Sequence, residues 1–111
     1  MRGAELRARR ESCGLSQSGL AARAGVCRAT VNRWETEVWP IPVDAWAALE
    51  RVEEQVAADA DGMVIAARES GPEPVTIAYA PGPDSPENAA ARLAYQLLKL
   101  EGVPVALEYS A

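Results

Sequence analysis

The stretch GLSQSGLAARAGVCRATVNRWE, Gly14 to Glu35, decides how this chain is read. Ser16 is a good N-cap, so a helix is predicted over Gln17 to Ala24, with Leu20 and Ala21 on its buried face. Gly25 ends that helix, Val26 and Cys27 carry a turn, and another helix is predicted from Arg28 to about Glu35 with Val31 and Trp34 inside. Two helices joined this tightly make three demands. The first needs a small residue where they cross, and Ala21 stands there. The turn needs a residue tolerant of positive φ four positions later, which is Gly25. A branched apolar side chain must then lock the second helix against the first, and Val31 does so six positions further on.

Working outward, a helix is expected from about Gly3 to Ser12, with Leu6 as its clearest core residue, Gly14 as its stop and Leu15 packing inward. On the other side, the two prolines of VWPIPVD exclude helix, and Asp44 is a ready N-cap. From Ala45 to about Ser70, the residues Trp46, Leu49, Val52, Val56, Ala60, Met63 and Ala67 recur at helical steps, with Gly62 as a weak point. SGPEP reads as a linker. VTIAYA reads as a strand with Val75, Ile77 and Tyr79 on one face, and PGPDSP as a loop ending in the N-cap Ser85 and a first-turn Pro86. A helix from Glu87 to Leu100 then carries Ala90, Leu93, Leu97 and Leu100 along one side, and after Gly102 the chain closes with VPVALEY as a strand. The expected fold class is α+β, mainly α: a helical headpiece with a long fourth helix over residues 1–70, and a small strand-helix-strand piece over residues 71–111.

Composition narrows the chemistry. The 111 residues carry a formal charge of −5, yet residues 1–43 hold seven arginines against four glutamates, +3, and the remainder sums to −8. Such asymmetry points to a nucleic-acid-facing half and a half with another duty. Histidine is absent, which removes the usual general base, the Ser–His and Cys–His nucleophiles and most zinc sites. Cys13 and Cys27 lack metal-ligand spacing and read as reduced, small, half-buried structural thiols. Glu50, Glu53, Glu54, Asp59 and Asp61 read as the solvated side of the long helix rather than a metal cluster. No catalytic residue, metal or cofactor is therefore expected, and no enzyme. No apolar run reaches the ~18 residues of a membrane span and no signal peptide opens the chain, so a cytoplasmic, membrane-free protein is expected.

Leu15-Ser16-Gln17 before the turn, Gly25-Val26 within it and Arg33-Trp34-Glu35 at the end resemble the Cro/CI (XRE-type) helix-turn-helix regulators, over about residues 1–60. The order of segments beyond Glu35, with PIPVD, one long helix and a small β-α-β piece, resembles the autoregulatory repressors found beside anti-CRISPR genes and their bacterial relatives, which implies a bacterial or phage origin. The first resemblance implies binding of double-stranded DNA through the third helix, usually as a dimer on an inverted-repeat operator. Placed in a major groove, the start of that helix brings Arg28 and Ala29 nearest the base edges, with Asn32 and Arg33 one turn later. Arg28 suits guanine O6 and N7, Ala29 a thymine methyl, Asn32 adenine, and Arg33 guanine or phosphate. Ser16, Gln17, Cys27 and Thr30 are the expected phosphate contacts. Arg9, Arg10 and Arg23 are candidates for further electrostatic pull, with a solvated face the commoner use of the first two. Arg33 has Glu37, one turn away, as a competing partner. Trp34 is expected in the core and Trp39 against the long helix.

The C-terminal piece implies a partner. A single strand-helix-strand unit does not cover Leu93, Leu97, Leu100, Val105 and Leu107, whereas the same segment of a second chain supplies the cover. A homodimer through residues 71–111 is thus expected, and the function implied is that of a homodimeric transcriptional (auto)repressor. The alternative is an antitoxin whose C-terminal part neutralises a protein partner. Such a tail should be charged and disordered when free, and this one is regular and apolar. RNA stays open as an additional ligand, with no residue pattern in its favour.

Overall fold

The structure, a computed structural model, describes residues 2–110. Seven elements succeed one another: α1 (Gly3–Ser12), α2 (Gln17–Ala24), α3 (Arg28–Glu35), α4 (Val43–Glu69), β1 (Val75–Tyr79), α5 (Pro86–Leu100) and β2 (Val105–Tyr109). This is the mainly helical α+β architecture that the sequence predicts. The chain forms two compact units that divide inside α4, a head ending at Glu54 and a tail beginning at Gln55.

The head is built around short helices with well-defined ends. Ser16 Oγ accepts from the Gly19 N–H at 2.9 Å and caps α2. Gly25, at φ 71°, turns the chain out of α2 in the left-handed region, where an L side chain is strained. Leu6, Leu20, Val31 and Leu49 are completely buried, and Ala21, Trp34, Ala45 and Ala48 nearly so. Ala21 and Val31 thus occupy the places that the helix crossing requires. α4 begins at Val43, two residues before the expected start, because Pro42 already supplies the carbonyl to which the Ala45 N–H bonds at 3.1 Å. Asp44 therefore lies in the first turn, where its charge favours the helix N-terminus. Gly3 packs so tightly that a Cβ would lie 2.3 Å from the Glu35 carbonyl oxygen, which fixes the start of α1 against the end of α3.

In the tail, α4 continues unbroken through Gly62, with Val56, Ala60, Val64 and Ala67 buried. Met63, expected on that stripe, is half-buried and Val64 takes the inner position. β1 and β2 form a two-stranded parallel sheet in the register Val75↔Val105, Ile77↔Leu107, Tyr79↔Tyr109, and α5 is the crossover that parallel strands need. Ser85 caps α5, with Pro86 in its first turn. Asn88, which the sequence does not single out, is buried and makes paired bonds with Ala80: its Oδ1 accepts from the Ala80 N–H and its Nδ2 donates to the Ala80 carbonyl, both at 2.9 Å.

The buried face of α5 differs from the expected one. Ala90, Ala91, Ala94 and Leu98 are sequestered, whereas Leu93, Leu97 and Leu100 are 36%, 41% and 86% exposed. Small alanines let the helix lie close on its neighbours, and a two-stranded sheet is too narrow to cover a second stripe of leucines. The long side chains are left outside.

Candidate nucleic-acid interface

α3 presents one face to the core through Val31 and Trp34 and the opposite face to solvent. Arg28, Ala29, Asn32 and Arg33 are all exposed there. Spacing of three and four residues on an eight-residue helix brings these four side chains onto one surface. Among the described residues Arg28 has no ion-pair partner, so its guanidinium is free to meet an external acceptor.

The expected phosphate contacts cluster around the starts of α2 and α3. Ser16 is exposed, and with its oxygen committed to the Gly19 N–H its hydroxyl proton remains available to an acceptor. Cys27 is the N-cap of α3, and its Sγ lies 3.3 Å from Thr30 Oγ1. Hydrogen bonds from the Thr30 side chain and then from the Thr30 backbone N–H hold the Cys27 thiol below the ordinary thiol range. Cys27 is exposed rather than half-buried, while Cys13 is buried and burial pushes its thiol up. The difference comes from position: Cys13 follows the last turn of α1 against the core, and Cys27 stands at the exposed N-terminus of α3.

Gln17 is tied to α3. Its Nε2 donates to Asn32 Oδ1 at 3.3 Å and to Glu35 Oε1 at 3.2 Å. The Glu35 carboxylate in turn grips Arg10: Arg10 Nε to Oε2 at 2.6 Å and Nη2 to Oε1 at 3.0 Å, with Arg10 Nη1 donating to the Leu15 carbonyl at 2.8 Å. The side chains of Arg10 and Glu35 are only 9% and 5% exposed. A buried bidentate pair thus joins α1, the loop before α2 and the end of α3, and through Gln17 it orients Asn32. The Asn32 amide is held with its oxygen toward Gln17, and the second lone pair and the NH₂ remain for an adenine edge.

These contacts redistribute the arginines. Arg10 lies in the core with its charge matched by Glu35. Arg9 is bound by Glu53 at 2.9 and 2.6 Å, with Glu5 nearby. Arg23 donates to the Gly19 carbonyl at 3.2 Å and keeps an exposed charge. Arg33 does not pair with Glu37, which accepts from the Gly3 N–H instead. Its guanidinium lies over the Trp39 ring, 4.6 Å from the centroid. Trp39 is 45% exposed and lines a cavity with Trp46 of α4, whose own ring has Arg2 at 4.0 Å and Arg9 at 5.3 Å from its centroid.

A family profile described as a helix-turn-helix domain matches residues 3–59, just over half of the chain. The chain belongs to the helix-turn-helix domain family. The match spans all of α1 to α3 and more than half of α4, and a helix-turn-helix domain is a DNA-binding one. No curated protein matches the chain. Among the described residues no helix is long and apolar enough to cross a membrane, and no group of His, Cys, Asp or Glu is arranged to hold a metal ion.

The Arg10–Glu35 pair is half legible in the sequence: Glu35 reads there as a structural residue that caps or pairs within the headpiece, without its partner being named. Arg10 lies one helical turn beyond Leu6, on the side of α1 that faces inward, where an arginine stem is expected only if its head finds a carboxylate.

Proposed function

We propose that this helix-turn-helix protein is a sequence-specific transcriptional regulator, a homodimeric repressor that acts on its own or an adjacent promoter through an inverted-repeat operator. The observation that carries the reading is the open face of α3, where Arg28, Ala29, Asn32 and Arg33 stand exposed on a helix whose other face is locked into the head. Arg28 and Ala29 read bases at the helix start, and Asn32 and Arg33 read them one turn later. Ser16, Gln17, Cys27 and Thr30 lie toward phosphate, Gln17 through its backbone N–H in the first turn of α2, because both of its side-chain amide donors are engaged by Asn32 and Glu35. No catalytic step and no cofactor belong to this reading.

Dimerisation is argued from the tail. Leu93, Leu97 and Leu100 form an exposed apolar stripe on α5, and Tyr109 is exposed at the end of β2. A second copy of the tail buries such a surface with two-fold symmetry, which matches half-sites about 34 Å apart. Three measurements test the reading together. Selection from random DNA at two salt concentrations should return a palindromic site. Arg28→Ala should cost about 1–3 kcal/mol at one base pair per half-site while leaving the others readable. Leu93→Glu with Leu97→Glu should convert a sedimenting dimer into a folded monomer and weaken operator binding. A wild-type monomer at micromolar concentration, or equal loss on specific and random DNA for Arg28→Ala, would contradict it. Recovery of a toxin-like protein in stoichiometric complex through the same leucines would favour the antitoxin reading instead.

A further inference from the structure

The turn after α3 tethers two side chains that are six residues apart. Thr36 ends the helix, its N–H and its hydroxyl both donating to the Asn32 carbonyl at 2.9 and 2.8 Å. Glu37 comes next at φ 66°, the one non-glycine residue in the left-handed region among the described residues. A glutamate there is strained, and the turn holds because its Oε1 takes the Gly3 N–H. The chain reverses, and the N–H groups of Val38 and Trp39 both donate to the Arg33 carbonyl, at 2.9 and 3.2 Å. With the two backbones joined, the indole of Trp39 lies beneath the Arg33 guanidinium. Pro40 and Pro42 stiffen the segment that leads from Trp39 into α4. Trp39 also lines a cavity of about 290 Å³ with Trp34, Pro40, Ile41 and Trp46, so its ring is half inside and half outside.

We propose that Trp39 is a specificity-determining positioning residue, which holds the Arg33 guanidinium flat so that Arg33 reads guanine rather than phosphate. The proposal rests on α3 being the DNA-reading helix. Stacking uses the face of the guanidinium and leaves its N–H donors pointing outward in the plane. Guanine O6 and N7 require two coplanar donors, and a pre-oriented edge supplies them without first losing the freedom of a long side chain. A phosphate can also take a guanidinium in bidentate fashion, but it accepts from many directions and is served by a lysine as a point charge, whereas the guanine edge fixes the plane of the two donors. The strained turn, the tethered backbones and the half-open indole are arranged for the first use.

Competition titrations with duplexes recovered by selection with the wild-type protein, each base pair changed in turn, test this. Arg33→Ala should lose roughly 5- to 150-fold discrimination at one G·C position per half-site. Trp39→Leu should lose most of that discrimination at the same position, with the other positions and the salt slope unchanged. Trp39→Phe should retain part of it, Arg33→Lys should keep the salt slope but not the preference, and the Trp39→Leu/Arg33→Ala double variant should be no worse than Arg33→Ala. Because Trp39 is half exposed and borders a cavity, the variants should fold, which thermal melting of the free proteins checks. Uniform weakening on every duplex by Trp39→Leu, additive losses in the double variant, or full discrimination by Trp39→Leu beside a position-specific loss in Arg33→Ala would overturn the role of Trp39 and leave the reading of α3 intact. An Arg33→Ala protein with unaltered discrimination would overturn both the guanine contact and the role of Trp39.

Discussion

Head and tail differ in one arginine pair: among the described residues several ion pairs stay in partial or full contact with water, and only the head draws one out of it. In the head, Arg10 and Glu35 are drawn out of water and joined in bidentate fashion beneath the crossing of three segments. In the tail, Arg92 meets Asp84 at 2.7 Å and Arg68 meets Glu101, both pairs substantially in water. Apolar side chains show the reverse. The head encloses Leu6, Leu20, Val31 and Leu49 completely, while the tail leaves Leu93, Leu97 and Leu100 open. Charge is buried where an angle between helices has to be fixed, and leucine is exposed where one unit is too narrow to cover itself. A buried pair is seldom better than well-packed apolar groups in net stability, but once present it cannot lose one member cheaply.

The contrast is sharpest if each pair is broken from the acidic side. Glu35→Ala leaves the Arg10 guanidinium buried with only the Leu15 carbonyl, and also takes an acceptor from Gln17. The expected loss is about 3–5 kcal/mol, read as a lower urea midpoint for the head. Arg10→Met with Glu35→Leu should recover only part of it, because the Leu15 carbonyl then loses its donor. A loss no larger than that of a surface pair would erase the distinction between the units.

Asp84→Asn is the matching change in the tail and should have a much smaller effect, with a pH signature. Arg92 holds the Asp84 carboxyl below the usual carboxylate range, chiefly by a direct hydrogen bond. A carboxyl whose folded pKa is depressed stabilises the fold above its unfolded pKa, and that contribution fades as pH falls through the folded value. Wild type and Asp84→Asn should therefore differ in melting temperature at neutral pH, begin to converge as pH falls below about 4, and meet only below the depressed folded pKa. The Glu101 carboxyl, lowered by Arg68, adds a parallel acid sensitivity that the variant retains. An unchanged difference at pH 3 would show that the pair does not act through its charge.

Most of the head is legible in the sequence because its signals are local. A serine cap, a glycine in the left-handed region and apolar residues at helical steps fix α1, α2 and α3 to the residue. The exposure of Arg28, Ala29, Asn32 and Arg33 comes from the same periodicity. The illegible part depends on contacts distant in sequence. Arg10 finds Glu35 25 residues away and Arg9 finds Glu53 44 residues away; helical spacing marks the inward position of Arg10 but names neither carboxylate, and Arg9 carries no local mark at all. The tail shows a different failure. Helical spacing groups Leu93, Leu97 and Leu100 with Ala90, but periodicity does not say which stripe faces inward when both are apolar, and the close packing of alanines selects the other. The turn that carries Trp39 holds a left-handed glutamate, Glu37, a conformation that residue type argues against.

The smallest effect concerns the two thiols, which lie on opposite sides of the head's boundary between core and open face. Cys27 is exposed, with its thiol held low by Thr30, and Cys13 is buried, with its thiol raised. The thiolate is the reactive form, so iodoacetamide near neutral pH should modify one equivalent at Cys27 and reach Cys13 only when the head unfolds. Thr30→Val removes the largest influence on Cys27 and should slow its labelling without changing that of Cys13. A carbamidomethyl group on the N-cap of α3 would stand where a phosphate is expected, so the modified protein should bind DNA more weakly while its melting temperature stays close to that of the unmodified protein. Equal labelling of both cysteines in the folded protein would mean that the head is far less closed around α1 than the burial of Leu6 and Arg10 requires.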